Sequence, residues 1–518
     1  MLIYLKLISS ILSLFFIGYM PAYFLILRRK DLASNYRSIS GKFFIFFISF
    51  YIGTLVASTF LMVLSLTGIE YHVEYIYSFG LIFFAFFLYL QFKKGKKIFF
   101  KDFNSSKLSW ILFIILIILI TASSLVVVFF AFLFPIRFWD AISCWSLKGK
   151  AFFIDSSIIP FYKNHSYQFS HLSYPLYLPL IQTWIYVWLG KVDETLVKVI
   201  FPLFYISALF ILYNFFRQKF VRLAAALAVF VFSVVPIVVD YGYIEYTNLV
   251  YGVILLVGVY FFWQWLVCSR GCCNIKNKSF HYNYLILSTI FFVILASIRS
   301  EGILYLFLFL LINLSCFIWD LVRERIYISG PKVNKSISLE NSGSKGAVNY
   351  RKTNNLKKFV FVIIIPIFIS MALLLPWFLL KYKLGLPLLS SEWLEVYKYQ
   401  DLTGGTAVVF NASGSLSAIV SEFLFSSFDS TRAFLGSAYG PIWVILLFFF
   451  IVNTGRLFNG RKWVFFVFVI FGLLSIFISL GFVEDFIWSV DRYLLHIFPL
   501  AYFWIISNMI YVYFRINK

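Results

Sequence analysis

An all-α polytopic membrane protein with about thirteen transmembrane helices is what this sequence predicts, and three observations carry that reading. Of the 518 residues, 62% are hydrophobic and 22% aromatic, more than water-soluble cores can hide. Runs of roughly 17 to 25 apolar residues recur along the whole chain, each long enough to cross a bilayer as a helix. No stretch alternates apolar and polar residues with period 2, so helices, not a barrel, must satisfy the backbone in lipid.

The expected spans are 2–27, 43–66, 75–92, 108–134, 196–216, 223–239, 249–267, 284–298, 303–319, 359–380, 433–452, 463–482 and 493–513. The first is too long for a signal-peptide core and lacks a small-residue cleavage site, so it reads as a retained span. The segment 175–190 is apolar but short and holds Pro175 and Pro179, so it is expected to be re-entrant or to lie on the surface. Residues 1–107 then form an N-terminal three-helix membrane segment. Residues 108–325 form a membrane core with a first outer loop at 135–195, and 359–518 form the C-terminal helices with an outer loop at 381–432. Between them, 326–358 is rich in Ser, Asn, Gly and Lys without an apolar face, the composition of a disordered cytoplasmic linker.

Loop charge orients this arrangement. With 175–190 kept from crossing, one side collects 31 Lys and Arg against five acids, and the other 12 against 17. That asymmetry is the positive-inside signature and puts the N-terminus outside and the C-terminus in the cytoplasm of a multi-pass cell (inner) membrane protein. It also accounts for the net charge of +22 without a nucleic-acid partner, because the basic residues sit in short loops beside membrane lipids. Five cysteines are too few for a disulfide framework; Cys268, Cys272 and Cys273 cluster by a basic loop without a second ligand pair at zinc spacing.

The polar residues of the outer side gather in five places. In FWDAISCWSLKGK, directly after a span, Asp140, Cys144 and Lys148 share one helical face and Phe138, Ile142 and Trp145 another, the pattern of an amphipathic helix in the interface. The stretch 162–180 carries His165, His171 and Tyr174. The turn DYGYIEYTN carries Asp240, Glu245, Tyr246 and Asn248, and the hairpin IRSEG carries Arg299 and Glu301. VEDFIWSVDRYLLH brings Glu484, Asp485, Asp491, Arg492, Tyr493 and His496 to the start of the last span. Charges at a membrane boundary are costly, so each cluster is a functional candidate, with helix caps and snorkelling side chains as the plain structural alternative.

In that order along the chain, WDAISCWSLKGKAFF, HLSYPLYLPL, GYIEYTN, IRSEG and DRYLLHIFPL resemble the GT-C superfamily of integral-membrane glycosyltransferases. The resemblance is to bacterial relatives of protein O-mannosyltransferases and lipid A aminoarabinose transferases, family 39-like enzymes, and covers roughly residues 108–515. It implies a GT-C-like fold and a transferase moving a sugar from a polyprenyl-phosphate donor to an acceptor hydroxyl on the outer face. Carried onto this chain, it makes Asp140 the catalytic base, with Arg492, Lys148 and Arg299 on the carrier phosphate. Glu245, His171, Tyr174, Glu301 and Tyr493 fall to substrate binding. The chain departs from the pattern in having a single acid in the first loop, and Glu245 where an Asp is usual. Asp140, Glu245 and the acids at 484–491 could together surround a divalent ion, yet the relatives most like this chain work without metal, so no cofactor is expected.

The implied chemistry suits the residues. A carboxylate in a partly desolvated site can take the acceptor proton, and fixed guanidinium or ammonium groups stabilise the charge of a departing phosphate. A polysaccharide polymerase or ligase is the first alternative, but it would be expected to carry a late outer loop rich in Arg and His, whereas 381–432 has four basic residues and no His. A transporter of lipid-linked sugars is the second, and it would place charges midway along its spans.

Overall fold

The computed structural model describes residues 2–27, 39–93, 107–269, 282–329, 358–387, 416–420, 439, 441–481 and 486–513. Among them no strand occurs. The expected linker 326–358, most of the outer loop 381–432, Glu484, Asp485, Cys272 and Cys273 lie wholly or largely outside the described residues.

The helices that matter here are α1 (Leu2–Ala22), α2 (Ile39–Thr67), α3 (Val73–Lys93), α4 (Lys107–Leu133), α5 (Leu147–Ile154), α6 (Tyr177–Leu189) and α7 (Ile200–Arg217). They are followed by α8 (Arg222–Ser233), α9 (Pro236–Tyr243), α10 (Asn248–Ser269), α11 (Tyr282–Ile298), α12 (Glu301–Ser329) and α13 (Ile365–Lys383). The described chain closes with α14 (Ile442–Val452), α15 (Trp463–Gly481), α16 (Phe486–Leu494) and α17 (Phe498–Tyr513). Among the described residues nine helices are long and apolar enough to cross a membrane, or ten if α8 and α9 count as one bent span. This is a multi-pass membrane protein.

Thirteen regular spans are therefore not established, and prolines explain two of the differences. The expected span 223–239 bends by 70° between α8 and α9. Pro236 opens α9 and holds Val235 extended, as a residue before proline prefers. The expected span 493–513 is divided at 495–497, where Pro499, in the first turn of α17, starts a new helix. Both breaks deliver polar residues to one end of the bundle.

The segment 175–190 is not a surface helix. Its helix α6 spans 13 residues, about 20 Å of rise, and every residue but Trp188 is buried against α1, α2, α3 and α5. Tyr177 shares a 2.6 Å hydrogen bond with Thr54 of α2, and the Trp184 indole N–H donates to Ser13 of α1 at 3.1 Å. Pro179 fits its first turn and Gly190 ends it in the left-handed conformation, φ 75°. Being short and wholly enclosed, α6 forms an interior floor under the first loop. At the other extreme, α4 is almost fully exposed along its apolar length, as a lipid-facing helix must be.

Two glycines let the ends close together. A Cβ on Gly252 of α10 would lie 2.4 Å from the Leu495 carbonyl, so only glycine admits the α16–α17 break against α10. A Cβ on Gly302 would lie 2.1 Å from the Leu295 carbonyl, which fixes the tight α11–α12 hairpin that presents Arg299.

Candidate functional site

The first loop begins with a strained step. After α4 the chain passes Pro135 and turns at Phe138, a non-glycine residue at φ 72°. From Ala141 to Ser146 it then winds as a π turn before continuing as α5. The wider i→i+5 turn shifts the register of the expected amphipathic helix. Phe138, Trp139 and Ile142 face out, whereas Trp145 turns inward with Cys144 and Lys148. The polar face therefore packs onto α6 and the expected apolar stripe is split.

Asp140 stands at the N-terminus of this turn but makes no side-chain capping bond. Its Oδ2 instead accepts a 2.7 Å hydrogen bond from Arg492 Nη1, joining residues 352 positions apart in an ion pair. Both side chains remain partly exposed, 34% for Asp140 and 26% for Arg492, so a ligand can reach them. The Tyr246 hydroxyl lies beside the same two groups, and burial, followed by the Asp140 charge, raises its pKa.

The backbone around Arg492 is held from three sides. Asp491 Oδ1 accepts from the Arg492 backbone N–H at 2.6 Å, the Asn248 side-chain amide donates to the Arg492 carbonyl at 2.9 Å, and the Tyr439 hydroxyl donates to the Asp491 carbonyl at 2.8 Å. Asn248 Nδ2 also lies 3.1 Å from His496 Nε2, which makes that ring nitrogen the acceptor. Asp491 thus serves the backbone and Arg492 pairs with Asp140.

Tyr174 links the rest. Its ring stacks between Trp145 at 5.5 Å and His171 at 5.0 Å between centroids, and the Lys148 ammonium and the Arg299 guanidinium each lie 5.8 Å from it. Arg299 is also 5.8 Å from the Tyr493 ring, which the Arg492 guanidinium approaches at 5.5 Å. Glu301 bonds Arg299 through two contacts of 3.3 and 3.4 Å. Asp140, Arg492, Arg299, Lys148, Tyr174, His171, Tyr493 and Glu301, from four separate stretches of sequence, therefore form one connected cluster. Lys148 is its deepest member: it is fully buried and donates to the His171 carbonyl at 2.7 Å.

Glu245 is the exception. The chain is extended at Ile244, so neighbouring residues point to opposite sides and Glu245 turns away from Tyr246. It faces Lys198 at 3.7 Å, both almost wholly buried, in a cleft lined also by Phe130, Phe134, Arg137, Phe138 and Tyr243. A 3.7 Å pair is too long for a strong hydrogen bond, and burial outweighs it: the Glu245 pKa is pushed up to about 7. Lys198 also donates to the Phe134 carbonyl, tying α7 to the end of α4. Sequence reasoning missed Lys198, although a lone Lys opening an apolar run was the signal for it. Tyr439 was missed as well, and an isolated tyrosine in a chain with 34 of them carries no such signal.

Comparison with known proteins finds no matching protein-family model, no matching curated protein and no matching solved structure.

Proposed function

We propose that this chain is a GT-C-like membrane glycosyltransferase that moves a sugar from a polyprenyl-phosphate donor to an acceptor hydroxyl at the outer face. The observation that supports this reading best is the Asp140–Arg492 pair, a carboxylate and a guanidinium joined at 2.7 Å at one end of the bundle, with Arg299 one tyrosine ring away. The Lys- and Arg-rich loops expected at the opposite end favour an outward orientation for it.

In the proposed reaction the donor phosphate enters between Arg492 and Arg299, which flank Tyr493. A guanidinium offers a planar fork of donors to phosphate oxygens, so the arriving phosphate competes with Asp140 for Arg492 and releases the carboxylate. Asp140 then takes the acceptor hydroxyl proton as that oxygen attacks the anomeric carbon. The bond between the anomeric carbon and the phosphate oxygen breaks, and polyprenyl phosphate departs with the electron pair, its new charge met by the two guanidinium groups. Tying base release to donor binding keeps Asp140 occupied until the sugar is present. His171, partly exposed and stacked on Tyr174 beside Asp140's loop, offers a flat ring face to a sugar, and Tyr174 holds that ring in place. Glu245, in its adjoining cleft, is proposed to meet the acceptor.

The test is release of polyprenyl phosphate by purified, reconstituted protein supplied with hexosyl and pentosyl polyprenyl phosphates and cell-envelope acceptors. Turnover by the wild type that is lost in Asp140→Asn is the expected result. Turnover that persists in Asp140→Asn removes the base, and transport of intact donor across the vesicle membrane without glycosidic cleavage replaces the enzyme by a transporter.

A further inference from the structure

At the opposite end of α7, α10 and α17 lies a second concentration of charge, about 30 Å from Asp140 along the 22 residues of α10. Lys219 follows α7; its ammonium donates to Ser507 of α17 at 3.2 Å and sits 4.5 Å from the Trp263 ring and 5.1 Å from the Phe503 ring. Lys462 precedes α15 and donates to Asn508, the residue after Ser507. Between them the tight turn 459–461 carries Arg461, whose Nη1 donates to the Leu266 carbonyl of α10 and reaches the Ser269 hydroxyl at 3.4 Å.

Three features of this cluster call for an anion. No carboxylate among the described residues pairs with Lys219, Arg461 or Lys462. Arg461 Nη2 is buried and has no hydrogen-bond partner, a cost that a buried guanidinium does not bear without something to meet it. Arg461 also holds φ at 66°, a left-handed conformation unusual for a residue with a side chain, and that conformation turns its guanidinium back onto α10. Burial first, and then repulsion from Lys462, lower the Lys219 pKa to about 7.

We infer that Lys219, Arg461 and Lys462 form a binding site for the phosphate headgroup of an anionic membrane lipid, separate from the Asp140 cluster. A lipid is the fitting source of that phosphate because the cluster caps the ends of three membrane helices, the level at which lipid headgroups lie. The Trp263 indole gives Lys219 a cation–π seat beside its hydrogen bond to Ser507. Binding of a phosphodiester restores the charge on Lys219 and so takes up a proton. Lys462, whose own pKa burial lowers, is the charged group that faces it, and both ammonium groups hold a phosphate only when protonated, so affinity falls as pH rises from 6 to 8.

The experiment uses the full-length protein in a neutral detergent, titrated with short-chain phosphatidylglycerol, short-chain phosphatidylcholine and inorganic phosphate, with thermal stability and native mass spectrometry as readouts. Phosphatidylglycerol is expected to be retained and to raise Tm, more at pH 6 than at pH 8. Phosphatidylcholine should do so at least tenfold more weakly, because its headgroup is zwitterionic. The double variant Lys219→Gln, Arg461→Gln should lose the retained lipid and its Tm increment. Lys219→Arg, which keeps the charge, should retain both and shows that a loss is not misfolding. Equal effects of the two lipids, or undiminished retention by the double variant, would overturn the site. Displacement of the lipid by millimolar inorganic phosphate would show that the cluster recognises free phosphate and would overturn the lipid assignment.

Discussion

Asp140 begins a helical turn yet caps nothing, and its carboxylate goes to Arg492, so its value lies in the pair. Asp140→Asn keeps the shape and removes the base; transfer is expected to fall by about three orders of magnitude while Tm moves little, checked by single-turnover assays beside a melting curve. Arg492→Ala is expected to weaken binding of a non-hydrolysable polyprenyl-phosphonate analogue by roughly ten- to a hundredfold, the worth of a charge-assisted hydrogen bond. Arg492→Lys should fall between, since an ammonium cannot fork. Unchanged affinity in Arg492→Ala with a lowered Tm would make the residue structural. Glu245 yields a pH prediction. Its folded pKa of about 7 stands above the ordinary 4.5, so the folded chain holds the extra proton and stability is lost as pH rises from about 4.5 to 7. Glu245→Gln mimics the protonated form; its Tm advantage over the wild type should therefore be larger at pH 8 than at pH 5, and an advantage independent of pH would mean Glu245 stays ionised beside Lys198. Of these residues, Asp140, Arg492 and Glu245 were all legible in the sequence as charges at a membrane boundary. Which of them meet was not, because the Asp140–Arg492 contact spans 352 positions and the turn of Glu245 away from Tyr246 depends on one extended residue, Ile244.

The elements show the same division between what local pattern reveals and what packing decides. Apolar runs located helices along the described chain because hydropathy alone sets where a backbone can sit in lipid. The prolines at 236 and 499 were visible, but each lay inside an unbroken apolar run, and only the tertiary arrangement shows that the chain bends there. For α6 the length was decisive and the surroundings were not: a short apolar helix reads alike on a surface and in an interior. The π turn after Asp140 was hidden for a further reason, since a period of 3.6 was assumed where the backbone takes a wider one. A test belongs to the α11–α12 hairpin. Gly302→Ala sets a methyl 2.1 Å from the Leu295 carbonyl, so the hairpin must open, at a cost of about 1–3 kcal/mol. Arg299 moves with it, and thermal melting should register the loss together with weaker analogue binding. A Tm within a degree of the wild type would show that the hairpin yields without strain.

Across the whole molecule, charge divides the bundle into two unlike ends, and the orientation we propose in the membrane rests on that division. One end carries Asp140, Glu245, Glu301 and Asp491 beside Arg299, Arg492 and Lys198, acids and bases interleaved. The other carries Lys219, Arg461 and Lys462 with no acid paired to them among the described residues. The energetics of insertion retain Lys and Arg in the cytoplasm, so the mixed end is expected outside, the side on which the proposed transfer takes place. Two exposed positions mark the ends: His72, beside the 2.9 Å bond that ties Tyr71 to Ser156 in the first loop, and Gly455, which has open space around it before α15. In a background with the native cysteines replaced, His72→Cys should react with a membrane-impermeant maleimide in intact cells, and Gly455→Cys only after the membrane is opened. The reverse pattern would turn the Asp140 cluster to the cytoplasm and exclude transfer at the outer face. Labelling at both positions in intact cells would mean that an odd number of crossings does not separate the two ends, and the interior helix α6, a 13-residue apolar element between them, would be the first place to look for the miscounted crossing.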